Sequence, residues 1–318
     1  MAMIKTWISA ARLRTLPLSI SGILIGSVLG SRSGFQQFYL DQDILFFFFQ
    51  TPLFWLAILT TLGLQIVSNF ANDYGDGIKG TDNEQRIGPV RAIQSGIISS
   101  KQMKNGIRIT VLITFLSALS LIYLSFKNSK ISYAVFFFLL GIAAIAAAIK
   151  YTVGNSAYGY KGLGDLFVFI FFGLVSVLGC YFLYQKELPL LIILPATSIG
   201  LLSTAVLNLN NMRDITGDKA AHKNTLVVKM GSVWAKKYHV TLVGIAIASI
   251  LIFHILTLTS VVELITLLVV FPLGKHLITV QKIKDPYAYD PELKKVALST
   301  FFMSLFFSLG QILSIVYI

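Results

Sequence analysis

The sequence predicts an all-α integral membrane protein with nine transmembrane helices in one domain, and three observations carry that expectation. Mean hydropathy is +0.76 and 55% of the 318 residues are hydrophobic, above the roughly 45–50% typical of soluble domains. The apolar residues are gathered into nine long, nearly uncharged runs. The 26 Lys and Arg are then sorted onto one side of those runs.

Each run has about 16–24 residues, the length a helix needs to cross a hydrocarbon core of about 30 Å. They lie near 15–31, 52–71, 107–126, 131–149, 163–184, 188–209, 238–258, 261–281 and 296–317 within a single domain, 1–318. Residues 1–14 are basic and weakly amphipathic, with no compact apolar core and no small-residue cleavage site. They are expected to form a retained helix on the membrane surface, with Trp7 at headgroup level. With the N-terminus in the cytoplasm, all basic residues but Arg32, Lys127, Lys130 and Lys186 fall on the cytoplasmic side. That bias sets the orientation of a multi-pass protein in the cell membrane. The aromatic-rich segment 35–50 is expected at the opposite interface.

Several function classes fall away. A formal charge of +12 invites a nucleic-acid reading, but no soluble domain remains to carry one. The lone Cys180, inside an apolar run, leaves no disulfide or thiolate metal site and reads as packing. His222, His239, His254 and His276 lack metal-ligand spacing, and no GxGxxG or P-loop motif is present. Gly22, Gly26, Gly30, Gly173 and Gly179 suit close helix packing.

Two polar clusters remain. The first, NDYGDGIKGTDNEQRIGPVRAIQSG (72–96), follows the second run; the other, NLNNMRDITGDKAAHKNT (208–225), follows the sixth. Asp73 and Asp214 are 141 residues apart, a four-helix spacing that suggests an internal repeat with a site between the halves. Asn72 and Asp76, and Asp214 and Asp218, are four apart and share a helix face. Hard oxygen ligands so placed suit Mg²⁺. Lys79, Arg86, Arg91, Arg213, Lys219 and Lys223 are interleaved with them, and carboxylates for metal beside fixed cations are what a leaving diphosphate requires. At the mouth of an apolar bundle the substrate is expected to be a prenyl diphosphate. Its allylic cation would be stabilised by an aromatic face, for which Tyr151 is well placed, and kept from water by apolar walls.

These residues carry a resemblance. ARLRTLPLS, NFANDYGDGIKGTD, RIGPVR, KYTVGNSAYGYKGLGD and TAVLNLNNMRDITGDKAAHKNTLVVKMG together resemble the UbiA superfamily of intramembrane aromatic prenyltransferases, in its naphthoate branch, along nearly the whole chain. The family's first motif, NDxxDxxxD, is matched by Asn72, Asp73 and Asp76. Its last position holds Gly80, and a two-residue insertion gives that ligand role to Asp82. The second motif, DxxxD, is matched by Asp214 and Asp218, with Lys223 and Thr225 in its basic tail.

The resemblance implies a UbiA-like bundle with a central cavity open to the cytoplasm and Mg²⁺ as cofactor. Asn72, Asp73, Asp76, Asp82, Asp214 and Asp218 would be ligands, with Asp76, Asp214, Asp218 and Tyr151 catalytic. It implies transfer of a polyprenyl group from an all-trans-polyprenyl diphosphate to 1,4-dihydroxy-2-naphthoate, with loss of diphosphate and CO₂, giving demethylmenaquinol for menaquinone biosynthesis. Other acceptors, 4-hydroxybenzoate or homogentisate, stay open. So does, more remotely, cation-coupled transport, although transporter acids belong near the bilayer midplane. Lys150, Lys161 and Asp165 are candidates for acceptor contacts or, equally, for a salt bridge within their loop, and His222 is a candidate proton acceptor.

Overall fold

The computed structural model describes residues 2–38, 51–82 and 87–316. Among these there is no strand. Eight helices are long and apolar enough to cross a membrane, and the pair Ala2–Ala11 and Leu16–Arg32, bent by 45°, makes a ninth if it is counted as one span. We number the helices α1 (Ala2–Ala11), α2 (Leu16–Phe38), α3 (Pro52–Lys79), α4 (Ser100–Phe126), α5 (Ile131–Lys150) and α6 (Gly164–Gln185). They continue as α7 (Ile193–Arg213), the short α8 (Ile215–Ala220), α9 (Leu226–Thr257), α10 (Val270–Lys282) and α11 (Tyr289–Val316).

The ends follow local chemistry. α3 starts with a proline in its first turn and closes at Gly80, whose φ of 70° is left-handed, a conformation glycine adopts without a Cβ penalty. α4 opens on a reciprocal capping box between Ser99 and Gln102. The bend between α1 and α2 falls at Arg12, with φ 53°. Trp7 does more than mark a headgroup level: its ring meets Phe70 edge-on at 5.1 Å, and a Cβ on Gly106 would lie 2.6 Å from it. α1 is therefore docked on α3 and α4. Most of the aromatic segment 35–50 lies outside the described residues.

α7 is the central post. Ile199, Leu202, Ala205 and Leu209 are fully buried in one apolar cluster with Val243 and Ala246 of α9 and Phe307 of α11. On another side α7 meets α6, which runs as a π-helix over Phe169–Gly179; a Cβ on Gly173 would come 2.5 Å from the Gly200 Cα. Gly22 and Gly26 of α2 similarly leave room for Ser176 and Cys180 of α6. Small residues let these backbones approach where lipid offers no hydrophobic drive to helix association. Gly179 has only ordinary contacts.

His239, His254 and His276 belong to packing. His239 and His276 are fully buried, with their Nε2 atoms 2.7 Å apart. His276 Nδ1 lies 2.5 Å from Glu292 and His239 Nδ1 3.2 Å from Asn208, which ties α7, α9, α10 and α11 through one buried polar chain. A carboxylate at His276 Nδ1 assigns that proton to Nδ1, leaving its Nε2 to accept from His239.

Candidate active site

α3 brings the first cluster to the bundle end where α1 docks, and α7 brings the second to the same end. A cavity of about 370 Å³ opens between them. Its polar end includes Arg12, Gln65, Asn69, Asn72, Asp76, Arg91, Asn210 and Lys223, and its apolar end reaches Leu121, Phe137, Cys180 and Leu183. A smaller polar cavity shares Asp76, Arg91, Asn210 and Lys223 with it and adds Thr81, Asp82, Asp214 and Asp218.

The two clusters meet at one ammonium. Lys223 Nζ is 3.9 Å from Asp76 Oδ2 and 3.6 Å from Asp218 Oδ1. Burial disfavours its charge, but Asp76 and Asp218 outweigh that and raise its pKa. Asp76 Oδ1 accepts from the Tyr160 hydroxyl at 2.8 Å, which also pairs with Thr81 at 2.6 Å. Asp218 is 5% exposed. Burial pushes its carboxyl up to about 6, with Lys223 opposing and Asp214 and Asp76 adding to the rise. Its Oδ2 is buried without a hydrogen-bond partner.

Asp73 departs from its expected metal role. A helix turns about 100° per residue, so Asp73 leaves the face shared by Asn72 and Asp76. It is 1% exposed, and its carboxylate accepts from the backbone N–H groups of Ala92 at 3.0 Å and Ile93 at 3.2 Å. It anchors the loop that carries Arg91. Asn72 lines the large cavity but not the small one, and its Oδ1 accepts from Thr152 at 3.2 Å. Asp82 lines the small cavity and faces Arg91 Nε at 3.8 Å.

Among the expected cations the structure separates those at the cavities from those that serve the frame. Lys223 and Arg91 line both cavities. Lys79 donates to the Thr152 carbonyl at 2.8 Å and sits 3.9 Å over the Tyr160 ring, so it fastens α3 to the α5–α6 loop. Arg213 is 4% exposed and committed: Nε and Nη2 donate to the two oxygens of Asp214 at 2.9 and 2.7 Å, Nη1 to Asp290 at 2.7 Å, and Nη2 also to Asn210 at 2.8 Å. It orients Asp214 rather than reaching a cavity. Lys219 is exposed at the end of α8 and lines neither cavity, and His222 is likewise exposed. Arg86 lies outside the described residues.

Tyr151 lines the large cavity and begins an aromatic wall. It meets Tyr158 edge-on at 5.3 Å, and Tyr158 stacks on Phe167 at 4.0 Å. Burial raises the Tyr151 phenol to about 12, so it presents a neutral ring. The Tyr158 hydroxyl is drawn off to the Ala147 carbonyl at 2.9 Å.

Among the described residues no group of three or more His, Cys, Asp or Glu is placed to hold a metal by itself. The donors lining the small cavity, from Asp76, Asp82, Asp214, Asp218 and Asn210, are all hard oxygens, and the orphaned Asp218 Oδ2 is one of them. Such a set fits Mg²⁺, which uses one or two carboxylates and completes its shell with water and substrate phosphate.

Sequence reasoning passed over Tyr160, Asn210, Arg12, Gln65 and Asn69. Asn210 was within reach, four residues before Asp214 and on its face. Tyr160 was not, because its role depends on a loop folding back 84 residues to Asp76, with its own carbonyl accepting from Asn224 N at 3.1 Å. Removing that hydroxyl takes a hydrogen bond from a charged acceptor, worth about 1.5–3 kcal/mol. Tyr160→Phe, which keeps the ring under Lys79, is therefore expected to lose about tenfold or more in turnover, read by steady-state kinetics; unchanged turnover removes the hydroxyl from the site.

An amphiphile with a polyanionic head fits this arrangement: carboxylates and fixed cations at the mouth, an aromatic wall below them, and an apolar cavity beneath. The architecture is that of a membrane-embedded enzyme of lipid diphosphates. The chain belongs to the UbiA prenyltransferase family, whose model matches residues 45–308. It is 42% identical over 310 residues to the 1,4-dihydroxy-2-naphthoate octaprenyltransferase of Haemophilus influenzae, covering 98% of this chain and 96% of that one. Identity to the enzyme of the same name from Escherichia coli is 41% over 311 residues, with the same coverage. For Mycobacterium tuberculosis it is 33% over 262 residues, 81% of this chain and 80% of that one. A solved structure from work on digeranylgeranylglyceryl phosphate synthase in membranes aligns over 100% of both chains, with a TM-score of 0.58 at 18% identity, and supports the fold.

Proposed function

We propose that this protein transfers a polyprenyl group from a polyprenyl diphosphate to 1,4-dihydroxy-2-naphthoate, releasing diphosphate and CO₂, as a step of menaquinone biosynthesis. The observation that carries the reading is the convergence of Asp76 and Asp218 on Lys223 at the polar mouth of an apolar cavity, in a chain 42% identical to an enzyme of that name.

The allylic C–O bond breaks with its electron pair leaving on the diphosphate. Lys223 and Arg91 offset the charge that develops there, as fixed charges do where water is excluded. The neutral Tyr151 ring faces the allylic cation, and the apolar wall through Tyr158, Phe167 and Phe171 keeps water from capturing it. The acceptor ring supplies the electron pair for the new C–C bond, and the electrons of the ring–carboxylate bond return to the ring as CO₂ departs. A bound Mg²⁺, held among Asp76, Asp82, Asp214 and Asp218, would supply Lewis-acid neutralisation of the leaving diphosphate. The clusters share the side bearing Lys79, Arg91, Lys101 and Lys104, and the positive-inside bias supports a site and an N-terminus on the cytoplasmic side of a cell-membrane protein.

The purified protein in detergent, given Mg²⁺, a polyprenyl diphosphate and a mixture of 1,4-dihydroxy-2-naphthoate, 4-hydroxybenzoate and homogentisate, is expected to yield the prenylated, decarboxylated naphthalenediol, identified by mass spectrometry with release of diphosphate. A prenylated benzoate or homogentisate product instead would reassign the acceptor. No product from any acceptor, with ion-driven uptake in proteoliposomes, would favour transport.

A further inference from the structure

Among the described residues four carboxylates surround the small cavity, and three cations are set against them. Arg213 is committed to Asp214 through two hydrogen bonds, Arg91 faces Asp82, and Lys223 serves two of the four, Asp76 and Asp218, one from each half of the chain. Lys223 differs from Arg213 in its freedom. Its head makes two ion pairs beyond hydrogen-bond length, 3.9 and 3.6 Å, and lies 5.6 Å from the Tyr160 ring centre. It is nonetheless only 9% exposed. It sits at the end of a four-carbon stem with rotatable donors and lines the large cavity as well as the small one.

We propose that Lys223 is a tethered placeholder for the divalent cation. Before the donor binds, its ammonium occupies the gap between Asp76 and Asp218; when the diphosphate arrives, Lys223 moves from those carboxylates onto the phosphate oxygens, and the carboxylates become available to metal. The inference rests on the proposed function and adds to it the form in which the donor is taken up, as its metal–diphosphate complex.

The physical reason is the cost of a stranded charge. A free divalent ion entering between Asp76 and Asp218 must displace a buried ammonium, and a buried cation without a partner is strongly disfavoured. The neighbouring acid, Asp214, already receives two Arg213 donors. A diphosphate supplies the missing acceptors, so metal and diphosphate each raise the affinity for the other by the same factor. Of the charges near the gap, Asp76 and Asp218 favour the ammonium there, Lys79 opposes it, and the Tyr160 ring offers its face.

The test is Mn²⁺ binding to the full chain in detergent, read from free Mn²⁺ by electron paramagnetic resonance, with no diphosphate present. Wild type is expected to bind Mn²⁺ weakly, Lys223→Gln at least tenfold more tightly, and Lys223→Arg, which keeps the charge, like wild type. Lys223→Met, retaining the apolar stem, replaces the Gln variant if that does not fold. In equilibrium dialysis with labelled inorganic diphosphate at saturating Mn²⁺, the uncharged variant is expected to lose at least tenfold in diphosphate affinity. Tight Mn²⁺ binding by wild type without diphosphate overturns the placeholder, a result that needs no variant; so does equal or weaker binding by the uncharged variant, or undiminished diphosphate affinity. Failure of the wild type to form product would sink the prenyl-transfer reading while leaving the Mn²⁺ comparison to stand on its own.

Discussion

Asp76→Asn and Asp218→Asn each lower turnover by at least about 10²-fold with folding intact, the scale on which a misplaced group at developing charge acts. The substitution nearly preserves shape. An asparagine at 76 still offers an oxygen to the Tyr160 hydroxyl, now 2.8 Å from Asp76 Oδ1, so the loss isolates the negative charge. At 218 the change removes charge from the carboxylate whose Oδ2 has no hydrogen-bond partner. Both variants leave Lys223 with one acid in place of two. Steady-state turnover with saturating donor and acceptor, beside a thermal melt to show the bundle intact, measures the effect. Turnover within about threefold of wild type in either variant removes that residue from the chemistry, and in both it dismantles the site.

The bundle was legible because a bilayer constrains sequence so strongly. Only a closed backbone can cross hydrocarbon, so long uncharged runs read directly as helices. The first helix is where that logic blurs. Arg12 and Arg14 interrupt the apolar pattern, and the chain bends at Arg12 instead of stopping there. Whether α1 and α2 count as one span is a question of geometry that hydropathy does not carry. Trp7 shows the same limit, since an interfacial tryptophan and one seated against Gly106 and Phe70 look alike in sequence.

At the site, spacing placed side chains on a helix face but could not say what each face meets. Asn72 and Asp76 share a face that opens on the large cavity. Asp73, in the same motif, turns to the Ala92 and Ile93 amides, partners supplied by a loop some twenty residues on. Lys79 and Lys223 both follow an aspartate motif within five residues, yet one reaches a backbone carbonyl outside the cavities and the other the gap between the two motifs. Charge patterning predicts that cations attend the acids. Which cation faces substrate depends on tertiary partners that no single segment encodes.

Arg213 makes that distinction testable. Read from sequence it is a diphosphate ligand; in the structure its guanidinium is used up on Asp214, Asp290 and Asn210. Arg213→Ala strands Asp214, whose side chain is 13% exposed, without its two donors. Breaking a buried pair from one side costs about 3–5 kcal/mol, and partial exposure puts this one near the lower end, about 3 kcal/mol. Turnover is expected to fall with it, because Asp214 is no longer oriented toward the small cavity. Arg213→Lys restores the charge but not the two-point geometry, so it recovers stability only in part. Asp290, at 55% side-chain exposure, is backed by solvent, and Asp290→Asn is expected to change stability far less. A direct diphosphate ligand behaves differently: Arg213→Ala would raise the KM for the donor and leave the unfolding midpoint where it was. Denaturation in detergent together with donor KM separates the two, and a raised KM at unchanged stability would return Arg213 to the substrate.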